Sequence, residues 1–232
     1  TEGMIGYLVE LALINLLGDS QRCATLLTQT EVDARDPAFQ HPAKPIGPVY
    51  REAEAQRIAA VRGWTVAPDG KAFRRVVPSP RPLRILELDV MRMLVEQGVT
   101  VICAGGGGIP VVRREDGHLV GVEAVIDKDS VSSLLARELG ADAFIMLTDV
   151  GAVYRDWGAT GTRAMRRISA PAIRRYSFAP GSMAPKVAAA CEFVEQAGGL
   201  AGIGRLEDAQ QILNGKAGTV ITREAGDTLW WD

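Results

Sequence analysis

From Leu83 onward, apolar stripes at helical spacing alternate with short unbroken apolar runs, and this alternation constrains the fold more than any other feature. Leu88, Met91, Leu94 and Val95 share a helical face that stops at Gln97-Gly98, and Val99 to Cys103 then reads as a strand. Val131, Leu134, Leu135 and Leu139 make a helix closed by Gly140, with Asp129 as its expected N-cap. Ala143 to Leu147 is a buried-strand run ending at Thr148-Asp149. Val187, Ala190, Cys191 and Val194 mark another helix, ended by Gly198-Gly199. A strand at Leu200 to Ile203, a helix around Leu206 to Leu213 and a strand at Thr219 to Thr222 complete the pattern. Strands apolar on both faces and separated by helices belong in a mainly parallel central sheet covered on both sides. The expected class is therefore α/β, a three-layer α/β/α sandwich whose ligands sit beyond the strand carboxyl ends.

Between Glu31 and Pro82 this rhythm is lost. Most of the twelve prolines gather there, around a helical pattern near Glu52 to Val61 and a hairpin-like Asp69-Gly70 turn. Residues 31–82 are expected to form a small protruding subdomain within a domain covering 1–232, placed to fold over the site; a long structured surface loop is the other reading. The chain opens on Thr1 and runs almost at once into a helix whose Ile5, Leu8, Val9, Ala12 and Leu16 share one face. A domain that starts mid-helix is expected to have sequence upstream.

The bulk properties exclude several classes. A net charge of −2 leaves no basic footprint for a nucleic-acid partner. No apolar run approaches the roughly 18–20 residues that cross a bilayer, so no membrane association is expected. Cys23, Cys103 and Cys191 are far apart in apolar segments and read as reduced core thiols of a cytoplasmic protein. With two histidines, His41 and His118, and no Cys-x-x-Cys, no protein-bound metal site is expected.

The chemistry concentrates in Glu123-Ala124-Val125-Ile126-Asp127-Lys128-Asp129 and Gly181-Ser182-Met183-Ala184-Pro185-Lys186. Each puts a lysine beside an expected helix start, where backbone N–H groups and the helix dipole already favour anions. An exposed charge trio accounts for the first equally well when it is taken alone. A cation at the positive end of a helix makes sense when an anion binds there, and Lys186 is the stronger candidate. Lys128 and Lys186 are expected to converge on one transferring phosphoryl group, with Asp129 orienting a lysine. Gly105, Gly106, Gly107 and Gly108 follow a strand and can turn N–H groups towards an anion; a tight strand-to-loop turn is the alternative. The run is neither a Walker A loop nor a dinucleotide fingerprint, since no Gly-Lys-Ser/Thr follows and Pro110 stands at the third glycine. Asp149 and Tyr154 are read as lining a purine site, Tyr154 against base or ribose; a plain turn residue is the alternative for Asp149. The four tryptophans show no spacing that suggests a stacking platform, and Trp230-Trp231 reads as packing or a sticky tail.

At these residues the sequence resembles the carbamate kinases of the amino acid kinase family. The likeness runs in order through Gly3-Met4-Ile5-Gly6-Tyr7, Asp36-Pro37-Ala38-Phe39, Lys44-Pro45-Ile46-Gly47-Pro48 and Arg74-Arg75-Val76-Val77-Pro78-Ser79-Pro80. It continues through Gly105 to Val111 and both lysine motifs. The resemblance implies a homodimer that moves a phosphoryl group reversibly between ATP and carbamate, with Mg2+ accompanying ATP/ADP. In the catabolic direction, carbamoyl phosphate and Mg-ADP give ATP. It implies that Lys186 neutralises the moving phosphoryl group, Lys128 holds nucleotide phosphates, Asp129 organises the lysines and Lys44 reaches in from the subdomain. Asp127, Asp149, Tyr154, Gly181, Ser182 and Met183 are the implied nucleotide-binding residues, and Gly105 to Gly108 with Lys44 the substrate-binding ones. The family's Gly-Gly-Asn-Ala and Gly-Asn-Gly-Pro-Gln loops, about the first quarter of its pattern, are missing from this sequence. Without them the chain alone is expected to be unstable or inactive; as part of a longer product it is expected to be active. Another small-acid kinase of the same fold, or a non-catalytic homologue acting as a subunit or regulatory partner, are the competing readings.

Overall fold

A computed structural model describes residues 2–18, 21–224 and 226–232. Thr1, on which the reading of the chain start rests, lies outside them. The chain forms two compact units, residues 1–131 and 132–232.

The first unit runs α1 (Glu2–Leu17), β1 (Cys23–Thr25), β2 (Gln29–Val32), β3 (Lys44–Tyr50), α2 (Glu52–Arg62), β4 (Thr65–Asp69), β5 (Ala72–Val77), β6 (Pro82–Ile85), α3 (Leu88–Glu96), β7 (Thr100–Ile102), β8 (Ile109–Arg113) and β9 (Leu119–Gly121). It ends in the first turn of α4 (Lys128–Glu138). β1 and β7 pair in parallel, and β6-β2-β8-β9 form a mixed four-stranded sheet in which β2 and β8 are parallel. The proline-rich stretch builds its own antiparallel sheet, β3-β5-β4, against which α2 packs. The Asp69-Gly70 turn closes the β4–β5 hairpin, with Gly70 at φ +62°, a conformation that costs glycine little.

Helix α1 forms where the spacing predicts it, and its apolar stripe turns outward. The face with Ile5, Leu8, Val9, Ala12 and Leu16 points outward, Leu16 being 80% exposed. The inner face is Gly3, Gly6, Glu10 and Leu13. Glycine explains the orientation: a Cβ on Gly6 would sit 2.3 Å from Thr25 Cγ2, and one on Gly3 3.3 Å from Leu27. The helix backbone approaches the following segment where side chains are missing, and its apolar surplus is left outside.

The second unit contains the rest of α4, then β10 (Ala143–Thr148), β11 (Tyr154–Arg155), β12 (Arg163–Ser169), α5 (Ala170–Ile173), α6 (Met183–Ala197), β13 (Leu200–Arg205), α7 (Ala209–Leu213), β14 (Thr219–Thr222) and β15 (Leu229–Trp230). Its sheet is ordered β10-β13-β14-β12-β11, with β15 also on β12. The β10–β13 and β12–β14 pairs are parallel and β13–β14 is antiparallel. Side chains alternate across a strand. On β13, Ala201 and Ile203 join Val187, Ala190, Phe193 and Val194 of α6 in the buried core. Gly202 and Gly204 face the other way, towards Ile212 of α7: a Cβ on either would lie 2.4 and 2.7 Å from its side chain. Helices thus cover both faces of this sheet, an α/β/α arrangement. Cys191 is buried in that core, whereas Cys23 and Cys103 are only half-buried; all three thiols are free.

Candidate active site

In the second unit, β10 ends at Thr148 and its parallel neighbour β13 at Arg205. A cavity of about 350 Å³ opens at the end of β10, within the size range of small-molecule sites. Five residues singled out from sequence line it: Asp149, Tyr154, Ser182, Met183 and Lys186. Gly181, also singled out, is exposed and is not among the lining residues. Lys186 occupies the first turn of α6, where Pro185 fits without loss of a hydrogen bond, and the residue is only 9% exposed. A buried ammonium is costly unless compensated. The N-cap Ser182 makes no side-chain capping bond to the first turn. Ala184 N–H donates to Ala179 O at 3.0 Å, and the helix brings its positive end, with Ser182, Met183 and Lys186, to one cavity wall.

Sequence reasoning missed Trp157, Asp156, Ser177, Phe178 and Ala179 on the same wall. Trp157 packs on Tyr154 with ring centroids 4.8 Å apart, yet is 68% exposed. The i, i+3 aromatic pair was the available signal. A larger hollow of about 770 Å³, lined by Ser169, Gly198 and Thr222, lies at the opposite strand ends and contains none of the predicted residues.

In the first unit, Lys44, Asp127, Lys128 and Asp129 come together around the start of α4. The N-cap is Asp127, not Asp129: its Oδ1 accepts the N–H groups of Asp129 (3.0 Å) and Ser130 (3.2 Å). Its Oδ2 accepts from Lys44 Nζ at 2.9 Å. Burial pushes the Asp127 carboxyl up, but Lys44 and the two amides outweigh it and hold the group below its usual range. Asp129 is buried and Lys128 is exposed.

The glycine run forms a tight 3-10 turn in this unit. Gly106, Gly107 and Gly108 have φ of +70°, +96° and +74°. A Cβ on Gly107 would stand 2.3 Å from the Ile126 carbonyl oxygen, which only glycine permits. Three of its amides are already spoken for: Gly105 N–H donates to Glu2 Oε1 at 3.1 Å, Gly107 to Ala104 O and Gly108 to Gly105 O. Buried Thr30 ties the loop through its hydroxyl to Gly107 O. Burial pushes the thiols of Cys103 and Cys191 up to about 11, so neither is a nucleophile at neutral pH.

The sequence matches the model of the amino acid kinase family over residues 34–201. A carbamate kinase of Haemophilus influenzae is 53% identical over 224 residues, covering 97% of this chain and 72% of that protein. A carbamate kinase of Thermococcus kodakarensis is 47% identical over 232 residues, covering 97% and 73%. Among solved structures, carbamate kinase from Giardia lamblia bound to AMP-PNP is 40% identical with a TM-score of 0.86, over 96% of this chain and 73% of that one. A solved structure from Aeropyrum pernix K1 gives 42% identity and a TM-score of 0.88.

Proposed function

Because the chain belongs to the amino acid kinase family, we propose that it acts as a carbamate kinase, transferring a phosphoryl group between carbamoyl phosphate and ADP. The observation that carries the site is Lys186: a buried lysine in an N-terminal helix turn, facing a ligand-sized cavity at the end of β10.

The nucleotide occupies that cavity, its base or ribose against Tyr154 and Trp157 and its phosphates towards Ser182 and the first turn of α6. A terminal oxygen of ADP attacks the phosphorus of carbamoyl phosphate. The phosphorus–oxygen bond to the carbamoyl group breaks, and carbamate leaves with the electron pair. The attacking oxygen is already ionised, so the step calls for charge neutralisation and alignment, not for a general base or a covalent intermediate. Lys186 neutralises the equatorial oxygens of the moving group, Lys128 supports the phosphates, and Asp129 orients the lysines. Lys44 binds the carbamoyl phosphate.

Magnesium enters with the nucleotide, since it keeps several waters and takes phosphate oxygens plus one or two carboxylates. Asp149 and Asp156, both on the cavity wall, are oxygen donors of the right kind. Bound there, the metal would neutralise phosphate charge. In this reading the protein is a cytoplasmic homodimer. The outward apolar face of α1, with Met4, Tyr7 and Leu8 at least half exposed, supports burial against a second copy.

The test is ATP formation from carbamoyl phosphate and ADP, followed by a coupled assay on the full-length protein. Turnover with carbamoyl phosphate, and none with acetyl phosphate or acetylglutamyl phosphate, is the expected result. A folded protein that forms no ATP above background overturns the assignment.

A further inference from the structure

Residues 122–127 belong to no helix or strand, yet three other parts of the first unit meet on them. From the β3-β5-β4 sheet, Lys44 of β3 pairs with Asp127 at 2.9 Å and Arg75 of β5 pairs with Glu123. Between these two ion pairs, Val125 N–H donates to Pro78 O at 3.0 Å, just beyond the end of β5. From the glycine loop, Gly107 presses against the Ile126 carbonyl, and Ile126 itself is fully buried. From α4, the amides of Asp129 and Ser130 end on Asp127. Arg75 is no loose arm: Trp64, just before β4, lies under its guanidinium at 4.4 Å from the ring centroid.

We propose that Glu123 to Asp127 form a clasp that fixes the β3-β5-β4 sheet, and that Asp127 is the positioning residue for Lys44. One carboxylate then sets two things together, the start of the helix carrying Lys128 and Asp129 and the location of the Lys44 ammonium. An ammonium has three donors, so Lys44 keeps its bond to Asp127 while offering the others to an anionic substrate. A lysine on four flexible methylenes gains most from such an anchor, because the entropy of ordering it is spent before the substrate arrives. This rests on the reading of Lys44 as the carbamoyl-phosphate lysine.

Asp127→Asn separates the two jobs. Asparagine caps a helix as well as aspartate does but carries no charge for Lys44. In Asp127→Asn and in Glu123→Gln, hydrogen exchange across β3 and β5 is expected to quicken by about twofold to fivefold, the range a half-exposed ion pair supports. Exchange in α6 should not change. Asp127→Asn should also raise the KM for carbamoyl phosphate and leave that for ADP alone, and should add nothing in a Lys44→Ala background. Unchanged exchange in both variants, or a full Asp127→Asn effect on top of Lys44→Ala, overturns the clasp. If exchange quickens but Lys44→Ala leaves the carbamoyl-phosphate KM unaltered, the clasp stands and the substrate role of Lys44 falls.

Discussion

Two helix starts, α4 and α6, each carry a lysine in the first turn, yet they deal with their unpaired amides in different ways. At α4 the Asp127 side chain takes the amides of Asp129 and Ser130, and Lys128 stands exposed. At α6 the capping serine makes no such bond, and Lys186 is buried on a cavity wall. The positive end of α4 is answered by a carboxylate side chain; at α6 a backbone carbonyl does part of that work, Ala184 N–H donating to Ala179 O at 3.0 Å, and no side chain of the N-cap joins it. A helix start closed by a charged side chain serves to position its neighbours, and one without a side-chain cap, on a cavity wall, is placed to bind. The sequence offered the same reading for both, and the capping geometry is what separates them.

The sharpest way to break this contrast is Lys186→Ala. Loss of a preorganised charge at a phosphoryl transfer should lower kcat by about 10²–10³. Circular dichroism should show the fold retained, and calorimetry should show ADP still bound. Lys128→Ala should cost less, since that side chain is solvated. Equal losses, or none at Lys186, would erase the distinction between the two ends. Next in size is Trp157→Ala. Removing an exposed ring that lies against Tyr154 should weaken ADP binding by roughly tenfold by titration calorimetry, about what one aromatic contact supplies. Unchanged affinity would take the nucleotide out of this cavity.

Much of this architecture was legible in the residues because burial and periodicity coincide in the second unit. The stripe Val187, Ala190, Cys191 and Val194 is the buried face of α6, and Ala143 to Leu147 is β10. The hairpin turn at Asp69-Gly70 and the helix near Glu52 were equally readable, from turn chemistry and spacing. Where the reading failed, a local detail overrode the pattern. Spacing predicts α1 but not which way it faces: Gly3 and Gly6 let its backbone, not its apolar side chains, make the close approach. β12 was not seen because Arg-Ala-Met-Arg-Arg-Ile-Ser does not alternate cleanly. A bulge between Met165 and Arg167 shifts its register, and Arg163 and Arg166 lie over Trp230 and Trp231. Those two tryptophans pack: Trp230 pairs with β12, and Trp231 Nε1 donates to Gly218 O. For the site, Asp127 and Asp129 flank Lys128 symmetrically in sequence, so only backbone geometry decides which one caps. Trp157 escaped because its partner is a tyrosine three residues away rather than another tryptophan.

Asp127→Ala sharpens the α4 side of the comparison. Loss of the cap should cost about 1 kcal/mol in urea unfolding. Acid should shrink that cost in a defined direction. The folded carboxyl titrates below its ordinary value near 3.8. Its contribution is therefore complete above about pH 4 and disappears as pH falls through the depressed folded value. Wild type and Asp127→Asn should thus converge in stability below about pH 4 and separate above it. Parallel curves through that range would mean that Lys44 and Asp127 contribute nothing as a charge pair.

Ser182→Ala carries the smallest expected effect and tests the α6 side most directly. A serine that caps its helix costs about 1 kcal/mol when removed; one that makes no capping bond should cost less than about 0.5 kcal/mol. Ser182 sits at φ −138°, ψ −74° with no bond to the first turn. Its removal should leave the unfolding midpoint in place while raising the KM for ADP modestly, because Ser182 lines the cavity and its side chain does not cap the helix. If the variant loses a full capping increment with nucleotide affinity intact, α6 is closed from within just as α4 is. Its first turn would then be no more available to a phosphate than the one Asp127 already occupies.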